Sequence, residues 1–264
     1  MSRLEDARKA FEKNRTEEIK KAHTKDAIKD AVHRERHNES GKYLRDFVYG
    51  ALDGTVTTFA VVAGATGATL SLGVILILGL ANLMGDGVSM ALGSYLSTKS
   101  EQEFHKKERE RETWEAEHIP DGEREEVREI YRRKGFRPPL LEQVVRHITS
   151  DRKLWVDTMM VEELGIIEDR KSPAKSALVT LLAFVLVGFV PLTTYVFSFM
   201  MPSLKSQLFP MAVVITAVTI FAVGSARSLV IKKKWYRAGT EMLLVGGLAA
   251  IAAYGVGALL GGLA

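Results

Sequence analysis

The sequence predicts an all-α integral membrane protein with five transmembrane helices and a helical cytosolic domain between the second and third. Three observations predict it. Charge is segregated: residues 1–46 hold 13 Lys+Arg and 10 Asp+Glu, residues 97–172 hold 16 and 19, and everything else in the 264 residues holds 7 and 3. Segments that sit in lipid shed charge, and segments in water keep it. Five apolar stretches reach the about 20 residues that a helix needs to span a bilayer. Basic residues also collect in particular short connections, as the positive-inside rule requires of cytosolic ones. The mean hydropathy of +0.03 averages over these regions and hides the pattern.

The elements follow in order. Residues 1–46 form a polar N-terminal extension of one or two cytosolic helices, with a thin apolar stripe at Leu4, Ala7, Phe11 and later Ile19, Ala22, Ala27, Ile28 and Ala31. They lack the apolar core of a cleavable signal, so the first span is expected to direct insertion. Spans are predicted at 47–70 and 73–96, joined by a turn so short that they form an antiparallel hairpin. The domain at 97–173 follows. Its first helix continues the second span to about His118, because no Gly or Pro interrupts it before Pro120. Asp121 is a candidate cap for a second helix, Gly122–Lys134, which Gly135 ends. Pro138 and Pro139 open a third helix running to about Ile167. The region 174–264 carries spans at 174–199, 208–231 and 241–263. Arg227, Lys232, Lys233, Lys234 and Arg237 lie between the last two, against Lys205 alone in the preceding connection. That bias puts the N-terminus and the 97–173 domain in the cytosol and the C-terminus outside.

The net charge of +4 does not point to nucleic acid, because bases and acids are interleaved in both polar blocks and form no basic stripe. With no cysteine, disulfides and thiolate metal sites are excluded.

Two acids sit inside predicted spans. A carboxylate there costs at least ~2.5–3.5 kcal/mol on insertion scales, so it needs a reason. Asp53 is flanked by the small residues Gly50, Ala51 and Gly54. Asp86 lies on the second span with Met90 one turn further on. A carboxylate near a thioether suits a borderline metal such as Fe²⁺, and a desolvated carboxylate can trade a proton for a metal ion. Asp46, seven residues before Asp53 on the same face, is a candidate for the cytosolic mouth of such a path. The bland alternative is a structural aspartate bonded to a neighbouring helix.

The cytosolic helices are rich in glutamate, and most of these have Lys or Arg neighbours, as on any solvated helix. Three pairs stand apart. Glu112 and Glu115 are spaced i, i+3, as are Glu123 and Glu126 on the next helix, and Met159 and Glu163 are spaced i, i+4. Such spacings put two ligands over one turn, as in carboxylate di-metal bundles, and three pairs on three short helices could converge on a metal cluster. His33 and His37 are also i, i+4, but in a strongly polar segment that reads better as a solvated face. Gly50-x3-Gly54 and Gly257-x3-Gly261 permit close helix crossings and give weak support to oligomerisation.

Three segments together carry a family resemblance: Tyr49-Gly-Ala-Leu-Asp53-Gly-Thr-Val-Thr-Thr, Gly87-Val-Ser-Met90-Ala-Leu-Gly-Ser-Tyr, and Met159-Met-Val-Glu-Glu163-Leu-Gly. The chain resembles the vacuolar iron transporter family over roughly residues 41–263. The resemblance implies a five-helix homodimer whose metal path runs along the dimer axis between the two first spans. It implies a three-helix cytosolic metal-binding domain below that path, and exchange of Fe²⁺ for protons, moving iron out of the cytosol. Carried over by position, the path residues are Asp53 and Met90. The cytosolic ligands are Glu112, Glu115, Glu123, Glu126, Met159 and Glu163, the same pairs that spacing singles out. The sequence departs from the resemblance in its long polar N-terminus and in Asn82 with Asp86 in the second span, and the latter two leave the proton route open.

The expectation is therefore a proton-coupled Fe²⁺ exporter of a cell (inner) membrane, not an enzyme. Its partners are divalent ions, protons, lipid and a second copy of itself, and it holds no permanent cofactor. The alternatives are the same fold carrying mainly Mn²⁺, Co²⁺ or Zn²⁺, and a membrane-anchored iron-binding protein or ferroxidase that transports nothing.

Overall fold

The computed structural model describes residues 10–11, 15–24, 42–167, 171–198, 207–231 and 234–263. The chain divides into two units, 1–44 and 45–264. In the first, α1 (Thr16–Ala22) is a short helix with Lys20 paired to Glu17 at 2.7 Å. His33 and His37 lie outside the described residues, as do Lys205, Lys232 and Lys233.

The second unit begins with α2 (Leu44–Gly67). A four-residue turn, with Thr69 at φ 57°, leads to α3 (Leu72–His118). Helix α3 is continuous for 47 residues, about 70 Å at 1.5 Å per residue. That is more than twice a hydrocarbon core. Its first half is the second span, and its second half projects beyond it as the first helix of the polar domain.

Three further helices complete that domain: α4 (Pro120–Arg133), α5 (Leu140–Ser150) and α6 (Arg152–Glu162). Proline at the first position of α4 needs no N–H there, and no side chain caps this helix, so Asp121 is not its cap. The single third helix expected from Pro138 to Ile167 is instead two. It breaks at Asp151, whose Oδ1 accepts from Leu154 N at 2.8 Å and so starts α6. Val127, Leu141, Val145, Ile148, Trp155 and Met159 form the domain's apolar core.

The chain re-enters the apolar region with α7 (Pro173–Gly188) and α8 (Val190–Phe197). Together they form one span, interrupted at Phe189. Pro191 has no N–H to give and its ring crowds the preceding turn. Helices α9 (Leu208–Ile231) and α10 (Trp235–Leu260) follow, and α10 starts six residues before the predicted span. Five helical segments are thus long and apolar enough to cross a membrane. With no strand among the described residues, this is an all-α membrane protein.

The side chains agree. Leu244, Leu248, Ile251 and Leu259 of α10 are each more than two-thirds exposed. A face of that kind belongs against lipid or another protein, not water.

Helix α2 is the hub of the membrane part. A β-carbon at Gly54 would lie 2.5 Å from the Phe184 carbonyl oxygen, and one at Gly188 would lie 2.7 Å from that of Gly54. Backbones of α2 and α7 therefore touch directly. On the other side, a β-carbon at Gly257 of α10 would overlap the Gly64 carbonyl. Both small-x3-small patterns are thus used in close helix crossings inside the chain. Between the helices lies a core of Phe59, Val62, Leu83, Phe184, Leu192 and Tyr195, against which Met90 packs.

Candidate metal centre and membrane carboxylates

Helices α3 and α4 are joined by a single residue, Ile119, whose N–H closes α3 onto the Glu115 carbonyl at 2.7 Å and whose own carbonyl accepts from Glu123 N at 3.2 Å. The chain reverses there within one turn. The last turns of α3 and the first turns of α4 then face each other, which puts Glu112 and Glu115 opposite Glu123 and Glu126. Carboxylate oxygens of Glu112, Glu115 and Glu123 lie within 4.8 Å of one another. Glu126 and Glu163, at the end of α6, are close enough for their charges to act on the same group. Met159 lies one turn before Glu163, whose N–H donates to the Met159 carbonyl, but its side chain is buried in the apolar core of the domain.

Glu112 is 1% exposed and Glu123 5%. Both oxygens of Glu112 and one of Glu123 receive no hydrogen bond. Arg111 comes within 2.7 Å of Glu112 Oε1, but without the alignment a hydrogen bond needs. A buried carboxylate without donors costs several kcal/mol when ionised, so it tends to hold a proton or attract a cation. Burial first, then repulsion from Glu163, pushes Glu112 up to about 7. Burial and Glu112 push Glu123 to about 7. Burial, with repulsion from Glu126, also raises Glu163.

Other acids of the domain are paired. Glu103 meets Lys99, Glu110 meets Lys106, Glu117 meets Arg152, Glu125 meets Arg128, Glu129 meets Arg132 and Arg133, and Asp157 meets Arg109. The solvated, salt-bridged reading holds for these. Glu115 does have a histidine three residues on, the Glu-x2-His spacing of di-iron helices. Yet His118 donates from Nδ1 to the Trp114 carbonyl at 2.8 Å and stacks on the Trp114 ring. Among the described residues, no histidine nitrogen joins the glutamate group.

In the membrane part, Asp53 of α2 and Asp86 of α3 are both half-buried and close enough for their charges to interact. No hydrogen bond or ion pair from a described residue reaches either carboxylate. Met90 is on the Asp86 face of α3, one turn nearer the polar domain. Thr58 of α2, Asn82 of α3 and Thr216 of α9 each bury a polar side-chain atom without a partner.

Asp46 is different. Lys171 Nζ donates to its Oδ1 at 2.7 Å, and Ser176 Oγ donates to Oδ2 at 2.6 Å. Lys171 is itself held by Gln102 of α3, which donates to its carbonyl at 2.5 Å, and Ser94 of α3 lies 3.0 Å from Ser176. The carboxylate expected at a cytosolic mouth is the centre of a buried clamp joining α2, α3 and α7. Sequence reasoning missed Lys171, Ser176 and Gln102.

A family model described as "VIT family" matches residues 44–258. The chain belongs to the VIT family. The matched region contains every carboxylate of the glutamate group and of the membrane spans, and begins at the last residue of the N-terminal unit. Among relatives, the chain is 37% identical over 266 residues to a "Vacuolar iron transporter" of Toxoplasma gondii, covering 97% of this chain and 88% of that protein. It is 34% identical to "Vacuolar iron transporter 1" of Arabidopsis thaliana over 84% of this chain and 88% of the relative. It is 31% identical to the "Vacuolar iron transporter" of Plasmodium berghei over 97% and 95%. These relatives are named as transporters.

Proposed function

We propose that this chain carries Fe²⁺ out of the cytosol in exchange for protons. The observation that carries the reading is the convergence of the Glu112, Glu115 and Glu123 carboxylates, with both oxygens of buried Glu112 and one of buried Glu123 left without a donor. Glu112 and Glu115 lie on the same unbroken helix that holds Asp86. The VIT-family relatives named as iron transporters supply the ion.

In this reading Glu112, Glu115, Glu123, Glu126 and Glu163 gather the ion on the cytosolic side and release protons as it binds. Met159 lends a thioether when the core beneath the glutamates adjusts. The ion then moves to Asp53, with Met90 and Asp86 along its way, and a proton arriving from the far side frees it. The path lies between the first spans of two copies. Asp46, satisfied by Lys171 and Ser176, holds the helices around the mouth in place and does not bind the ion. The relatives are named for a vacuole, whereas the sequence reading places this chain in a cell membrane. In either membrane the glutamates face the cytosol.

Carboxylate and thioether donors also accept Mn²⁺, Co²⁺ and Zn²⁺. The test is flux into proteoliposomes with each ion, with and without a pH gradient. Fe²⁺ uptake should need the gradient, and Asp53→Ala should abolish it. Wild-type uptake by Asp53→Ala would reject the assigned path. Oxygen consumption on adding Fe²⁺, without flux, would favour the ferroxidase reading.

A further inference from the structure

The glutamate cluster contains a cation of its own. Arg111 precedes Glu112 in sequence, and its guanidinium spans three carboxylates. Nη1 donates to Glu115 Oε2 at 2.5 Å, Nη2 lies 2.7 Å from Glu112 Oε1, and Nε donates to Glu108 Oε2 at 3.1 Å. Two of those three, Glu112 and Glu115, belong to the triad whose oxygens converge. The third, Glu108, lies outside it, one turn back along α3.

We propose that Arg111 is a tethered counter-ion that competes with the metal for Glu112 and Glu115, and so sets the affinity of the cluster. The inference rests on the metal reading given above. A divalent ion and a guanidinium cannot share one carboxylate oxygen at bonding distance. When the ion binds, the guanidinium must leave Glu112 and Glu115, and Glu108 gives it a seat to retreat to without losing its charge partner. The side chain is free enough for such a move, being 40% exposed, whereas the Glu112 carboxylate is fully enclosed. The hold on Glu112 is also the poorer-aligned of the contacts, so it is the first to yield. A transporter has to release its ion as well as bind it. A resident cation that returns to the same oxygens speeds that release.

The experiment is titration of the full-length protein in detergent with Mn²⁺, repeated with Fe²⁺ under argon, for wild type, Arg111→Met and Arg111→Lys. Removing a unit positive charge within a few ångströms of the ion should tighten binding roughly tenfold after solvent screening. Arg111→Lys keeps the charge but cannot bridge three carboxylates, and should tighten it by less. A merely structural arginine predicts the opposite, looser binding on loss of the side chain. Unchanged or weaker binding in Arg111→Met would overturn the proposal. Should that variant fail to fold, Arg111→Lys carries the test alone, and binding equal to or weaker than wild type overturns it. Glu108→Gln adds a second arm: it should weaken binding in the wild-type background and change it by less than about twofold in Arg111→Met. Equal weakening in both would contradict Glu108 as the seat. If wild-type protein shows no saturable binding at all, the metal reading itself fails, an outcome distinct from saturable binding that ignores position 111.

Discussion

Asp46 and Glu112 are both buried carboxylates, yet their surroundings are opposite. Around Asp46, an ammonium and a hydroxyl satisfy both oxygens, and the three groups come from α2, α7 and the strand of chain before it. Around Glu112 there are four more glutamates, no aligned donor, and one arginine already shared with two other acids. The comparison teaches that burial alone does not mark a ligand. A carboxylate whose lone pairs are filled by its own protein is a joint, while one whose lone pairs are left empty at some cost is where the proposed reading seats the ion.

That contrast can be broken at either end. The largest expected effect on stability is at the clamp. Lys171→Met strands a buried charge, which should destabilise the protein by about 3 kcal/mol in denaturant unfolding of the detergent-solubilised chain. Metal affinity at the glutamates should stay within about twofold. A large loss of metal binding in this variant would mean that Asp46 and the cluster are not separate devices. The smallest effect is at Asp151, whose cap starts the helix leading to Glu163. Asp151→Ala should cost about 1 kcal/mol and shift metal binding only slightly. A loss of binding beyond tenfold there would show that Glu163 depends on the helix start more tightly than its position suggests.

Much of this was open to sequence reasoning, for identifiable reasons. The spans were legible because lipid excludes charge, and the extension of α3 beyond the second span because no Gly or Pro lies between Ser97 and His118. The glutamate pairs were legible because three residues make nearly one turn. What failed was long-range or locally ambiguous. Asp46 and Lys171 are 125 residues apart, so no spacing could reveal their bond. Gly50 and Gly54 say that a backbone can come close, but not that it is α7. The break at Asp151 competes with an otherwise helical run, and Asp is as ordinary on a helix surface as at a cap. Arg111 was within reach, standing one residue before Glu112 and four before Glu115. Yet its neighbours on α3 carry many other charges, so nothing in the spacing alone sets it apart.

The central claim is that Glu112 and Glu123 are held ready for a cation. Their carboxyl groups are raised in the folded chain from about 4.5 to about 7. A raised acid favours folding fully below its unfolded value and loses that contribution as pH rises through the folded one. Metal-free protein should therefore melt lower as pH is taken from 5 to 8, and a divalent ion should restore the loss most strongly at pH 8. The decisive measurement is the melting temperature of the full-length chain from pH 5 to 8, with and without Mn²⁺, beside Glu112→Gln with Glu123→Gln. The account predicts a metal-induced rise that grows with pH in wild type and vanishes in the double variant, whose metal-free form is the more stable at pH 8. A rise independent of pH, or one that survives both substitutions, would contradict it.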